Sequence, residues 1–135
     1  MATATPSGAP FPASPAELSA AFAEALAQRD VEGALELWVE DATILTATGE
    51  TLRGREAIGA ALRALVDNGA QVGIELTRTV TAGDVALGLG TLTLSGTGAD
   101  GERFCHQASS AVIYSRVTDG SWRVAIDAPW GLPGA

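Results

Sequence analysis

Apolar residues recur at helical spacing over the first half of this chain and alternate with polar ones over the second. Leu18, Phe22 and Leu26, with Ala21 and Ala25, form one stripe, which predicts a helix. Ser14 can cap it, Pro15 suits the first helical position, and Glu17 stands where a capping box places its glutamate. This helix ends near Arg29. Asp30 can cap a second, short helix on which Val31, Leu35 and Trp38 share a face, with Glu32, Glu36 and Glu40 on or near the wet side. The segment DATILTATGETLRG changes to short β-prone pieces around Thr48-Gly49, predicting two short strands. REAIGAALRALVDNG then spaces Ile58, Leu62, Leu65 and Val66 helically and stops at Asn68-Gly69. Beyond it, strands are expected over 70–82, 84–96, 102–117 and 121–128, joined at Ala82-Gly83, Asp100-Gly101 and Asp119-Gly120. Helices first and a long meander last imply an α+β class, with a curved, mostly antiparallel sheet wrapping three helices. Residues 1–13 carry no period and read as a disordered leader, 14–131 as one domain, and 132–135 as a tail.

Composition narrows the function. A chain of 135 residues with 47% hydrophobic content can bury one core and is too short for two ordinary domains. Sixteen acids against eight Lys and Arg give a net charge of −8. No basic run is present to neutralise phosphates, which argues against nucleic acid and against an anionic membrane surface. No apolar stretch approaches the roughly 20 residues that span a bilayer, and MATATPSGAPFPASP lacks the build of a signal peptide. A single cysteine, Cys105, cannot form an internal disulfide, which fits the cytoplasm and reads as a structural thiol. One histidine, one cysteine and no acids at ligand spacing make a poor metal site, so neither metal nor cofactor is expected.

The polar residues of the strands supply the candidate chemistry, each with a plainer alternative. Asp127, between Ile126 and Ala128, is either turned to water at a strand end or held in a cavity where it moves protons. Strict alternation puts it with Arg123 and Ala125, opposite Trp122, Val124, Ile126 and Ala128. Arg78 shares a face with Val72, Ile74, Leu76 and Val80 by the same rule. It is either a pocket cation or an outer residue with a packed stem and a wet head. His106 suits general acid–base work, or the rim or an interface. Tyr114 can donate to a developing oxyanion, or merely pack its ring. Trp38 closes the core or walls a pocket, Trp122 anchors the core, and Trp130, beyond Pro129, folds back as a lid.

The helix, the short helix ending in LWVEDATIL, GETLRGREAIGAAL, the long strands and the final DGSWRVAIDAPWG together resemble the NTF2-like superfamily in its SnoaL-like, DUF4440-type branch, over residues 16–131. The resemblance implies a ketosteroid isomerase-like cone with a pocket between helices and sheet, dimeric through the sheet's outer face. It implies no single activity. Where ketosteroid isomerase-like relatives carry a proton-shuttling aspartate, this chain has Thr43 to Thr46; where they carry a tyrosine on helix one, it has Phe22. The expected function is cofactor-free proton transfer on a small apolar metabolite, as isomerase, dehydratase, cyclase or hydrolase. Asp127 or His106 serves as base, Arg78 or Tyr114 as electrophilic partner, and Phe22, Trp38 and Trp130 as walls. The competing expectation is a non-catalytic ligand-binding or dimerisation module.

Overall fold

The computed structural model describes residues 12–46, 48–98 and 100–129. Its elements run α1 (Pro15–Ala27), α2 (Val31–Leu35), β1 (Trp38–Leu45), β2 (Thr51–Arg53), α3 (Arg55–Asp67), β3 (Gln71–Ala82), β4 (Val85–Thr97), β5 (Arg103–Arg116) and β6 (Trp122–Ala128). The six strands form one sheet in the order β2-β1-β6-β5-β4-β3. All neighbours are antiparallel except β1 and β6, which run parallel. This is the expected α+β cone: three helices lie against one face of the sheet and share a core with it.

The helix signals act as read. Ser14 Oγ accepts the Glu17 N–H at 3.2 Å, and Glu17 reaches back to the Ala13 N–H at 2.9 Å, so two donors at the start of α1 are satisfied. Asp30 caps α2 through the Gly33 N–H at 2.9 Å. The stripe Leu18, Phe22 and Leu26 of α1 and the stripe Ile58, Leu62 and Val66 of α3 are buried. Removing such side chains from water is what holds the helices to the sheet, at about 1.5–3 kcal/mol each. Ahead of α1, Pro12 is buried and its carbonyl accepts the Trp122 N–H at 3.1 Å. Residues 1–11, most of the segment read as a leader, lie outside the described residues, as do Trp130 and the tail.

Three expectations need correction. Trp38 is not on the second helix. That helix ends at Leu35, and Trp38 opens β1 because the Leu37 carbonyl is already taken by the Val124 N–H at 2.8 Å, so pairing with β6 overrides the helical spacing. The other two corrections have a common cause in β-bulges, which insert one residue and exchange the faces of everything beyond. In β3, Leu76 opposes Gly90 while Arg78 opposes Leu89, leaving Thr77 as the extra residue. Val72, Ile74 and Leu76 therefore face the helices, whereas Arg78 and Val80 face outward with Leu89 and Leu87. In β6, Val124 opposes Tyr114 and Ile126 opposes Ile113, leaving Ala125 as the extra residue. Val124 and Asp127 thus share the inner face, and Ile126 is turned out, 45% exposed.

Candidate active site

The inner face of the sheet does not close completely on the helices. It leaves a cavity with two lobes. The larger, about 280 Å³, is bounded by Leu26 of α1, Leu62 and Leu65 of α3, Ile44 of β1, Val72 of β3 and Leu94 of β4. The smaller, about 50 Å³, reaches Ser19 of α1 and Ser110, Val112 and Tyr114 of β5. Phe22, Trp38, Leu92, Asp127 and Pro129 border both, so Asp127 belongs to the wall that the two lobes share. Of the described lining residues, only Asp127 carries a charge at neutral pH; the other polar contributors are the hydroxyls of Ser19, Thr46, Ser110 and Tyr114 and the indole N–H of Trp38, a buried donor with no partner among the described residues.

Asp127 is aimed there by its strand. The Ala125 bulge turns it inward, and pairing with Ile44 on one side and Val112 on the other fixes its position across the sheet. Both of these neighbours are hydrocarbon. Removal from water pushes the carboxyl up from 3.8 to about 7, because no cation among the described lining residues favours the ionised form.

Tyr114 is fully buried, and its Oη lies 2.8 Å from Ser19 Oγ. Burial pushes its phenol up, the Ser19 hydrogen bond acts against that, and the negative Asp127 adds to it. The phenol therefore stays protonated and can donate. Small residues on β4 make room for its ring. A Cβ on Gly88 would come within 2.8 Å of Tyr114 Cε2 and 3.1 Å of its hydroxyl. Trp38 is 1% exposed and packs its ring on Phe22 at 5.6 Å between centroids. The Arg55 guanidinium, at the start of α3, donates to the Trp38 carbonyl at 2.6 Å, and the Gly54 N–H donates to the Ala42 carbonyl at 2.8 Å. These two bonds give the Gly-Arg-Glu-Ala turn its structural task, which is to tie α3 to β1 beside the cavity. Gly54 is required there, since its φ of +88° is in the left-handed region.

Of the residues singled out from the sequence, the fold brings together Asp127, Tyr114, Trp38 and Phe22. Arg78 is exposed on the outer face and is not a pocket cation. His106 is exposed and stacks on Phe104 at 5.6 Å. It has the facing of its partner Leu94, but lies beyond the residues that line the cavity. Trp130 falls outside the described residues. Ser19 was missed by sequence reasoning. Its signal was available, since it stands three residues before Phe22 and seven before Leu26, a hydroxyl on the apolar stripe of α1. Among the described residues no group of three or more His, Cys, Asp or Glu could hold a metal ion, and no helix is long and apolar enough to cross a membrane.

Comparison with known proteins agrees with this architecture. The model of the SnoaL-like domain matches residues 19–125. Among solved structures, the chain is similar to an NTF2-like protein with a cystatin-like fold from Novosphingobium aromaticivorans, with 24% identity, a TM-score of 0.70, and 83% of this chain and 75% of that one covered. It is similar to Aln2 from a Streptomyces species at 24% identity and a TM-score of 0.71, covering 84% of each chain. A ketosteroid isomerase-like protein from Erwinia carotovora shares 14% identity with a TM-score of 0.72, over 84% of this chain and 89% of that one. At these identities the likeness establishes the fold alone. Among curated proteins nothing matches.

Proposed function

The chain belongs to the SnoaL-like domain family, and from that premise we propose that it is a cofactor-free enzyme moving protons on a small apolar metabolite, with Asp127 as general acid–base. The observation that carries this reading is the placement of Asp127, a carboxyl raised to about 7 in the wall that two apolar lobes share. A catalytic base works best with a proton affinity near the operating pH. At neutrality Asp127 is divided between carboxylate and acid, so it can take a proton from carbon and return it at another position. Tyr114, backed by Ser19 at 2.8 Å, donates to the oxygen on which negative charge develops. In an isomerisation the proton of a C–H bond passes to Asp127, its electron pair stays behind as a delocalised anion, and the proton goes back to a different carbon, so nothing is consumed. Dehydration, cyclisation or hydrolysis would start from the same groups.

The test is hydrogen–deuterium exchange at the carbon next to the carbonyl of apolar cyclic ketones. Asp127→Asn should lower the protein-dependent exchange by roughly 10²–10⁴-fold and Tyr114→Phe by roughly 10²-fold or more. Exchange unchanged in both variants would refute the reading.

A specific observation favours a second role alongside the first. Val80, Val85, Leu89 and Ile126 are 48%, 50%, 38% and 45% exposed on the sheet's outer face. Side chains of this type that stand together on a surface mark an interaction site, which supports a homodimer formed through that face. Light scattering of Leu89→Asp against the parent chain tests it. A parent chain that is monomeric at micromolar concentration would overturn it.

A further inference from the structure

The cavity discriminates by charge as well as by shape. Its described lining contains one carboxylate and no Lys, Arg or His, and the whole chain carries −8. A carboxylate or phosphate ligand would meet repulsion at Asp127 and no counter-charge on those walls. A neutral ligand fits while Asp127 holds its proton, but above about pH 7 it leaves the ionised carboxylate without a partner in an apolar site, which is costly. A cation removes that cost, and the remaining walls suit one. Phe22 and Trp38 border both lobes and Tyr114 the smaller one, and aromatic rings attract ammonium groups. The oxygens of Ser110 and of the Ser19–Tyr114 pair border the same lobe and can accept N–H donors left over from the carboxylate.

We propose that the cavity binds a lipophilic monoamine in its ammonium form, the nitrogen paired with Asp127 and the hydrocarbon body filling the larger lobe. This rests on the cavity being a ligand site and not on the proton-transfer chemistry above. Asp127 shares the cavity lining with Ser19 and Phe22 of α1, Trp38 and Ile44 of β1, Leu62 and Leu65 of α3, Leu92 of β4, and Ser110, Val112 and Tyr114 of β5. Tyr114 alone among them titrates, and its phenol is held protonated. Binding is therefore governed by the carboxyl itself. The ammonium pairs with the carboxylate, so in acid a bound amine must expel the Asp127 proton.

Isothermal titration calorimetry with 1-adamantylamine, 1-adamantanol and 1-adamantanecarboxylate decides the matter, because the three share a body and differ in charge. At about pH 8, below an alkylamine pKa of roughly 10, the amine should bind tighter than the alcohol and the carboxylate least. At about pH 5 its affinity should fall by up to roughly 100-fold, since a carboxyl of about 7 is then protonated. Titration in two buffers of different ionisation heat should show close to one proton released per amine in acid and close to none at pH 8. The alcohol should bind alike at both pH values. Asp127→Asn should erase the preference for amine over alcohol. Should that variant not fold, proton release by the parent chain settles the question. An amine that binds no tighter than the alcohol at pH 8, or binds in acid without proton release, overturns the proposal. If the alcohol still binds and Asp127-dependent exchange persists, the proposed function survives that failure. If none of the three binds, the ligand cavity falls with it.

Discussion

Replacing Asp127 with Asn should stabilise the protein, and by an amount that depends on pH in a defined way. The native carboxyl holds its proton up to about 7, against 3.8 for the ordinary group. Between those values the folded state binds a proton that the unfolded state has lost, so stability falls as pH rises. The dependence is close to 1.4 kcal/mol per pH unit. The loss begins near pH 4, ends just above pH 7, and reaches at most about 4 kcal/mol. Asn has nearly the same shape and no charge to desolvate. The difference between variant and parent should therefore be near zero at pH 4, grow through pH 5 and 6, and level off near 4 kcal/mol at pH 8. Urea unfolding of both proteins at several pH values measures it directly, and subtracting the curves cancels every other acid. A pH-independent difference would refute the claim that burial raises this carboxyl. So would a carboxyl ¹³C titration of Asp127 with its midpoint near 4.

Three further outcomes follow from the same geometry. Tyr114→Phe leaves Ser19 Oγ without its 2.8 Å partner in a buried site, and should cost about 1–3 kcal/mol in chemical denaturation. Gly88→Ala puts a methyl 2.8 Å from the Tyr114 ring and should destabilise by about 1–3 kcal/mol, with the Tyr114 ring resonances shifted in NMR spectra. Arg78→Ala, on the exposed outer face, should change stability by no more than about 0.5 kcal/mol and leave ligand affinity in calorimetry unchanged.

The sequence by itself determined the element types, most of their bounds and the fold class. These depend on local signals that no later contact revoked: the apolar stripes of α1 and α3, the caps at Ser14 and Asp30, and the turns at Gly83, Gly101 and Gly120, all three of which take positive φ. It also named four of the residues that line the cavity, Phe22, Trp38, Tyr114 and Asp127. It did not determine which way the decisive side chains point. Alternation along a strand predicts facing only while the register is regular, and the extra residues Thr77 and Ala125 exist only through pairing with the neighbouring strands. One bulge sent Arg78 outward and the other brought Asp127 inward, reversing both assignments. Trp38 shows the same limit at a helix end, where spacings of three and four residues fit a helix until a partner strand claims the backbone. The cavity itself is a tertiary product. Its volume depends on how far three helices stand off a bent sheet, and the elevated proton affinity of Asp127 follows from that enclosure rather than from any neighbour in the chain.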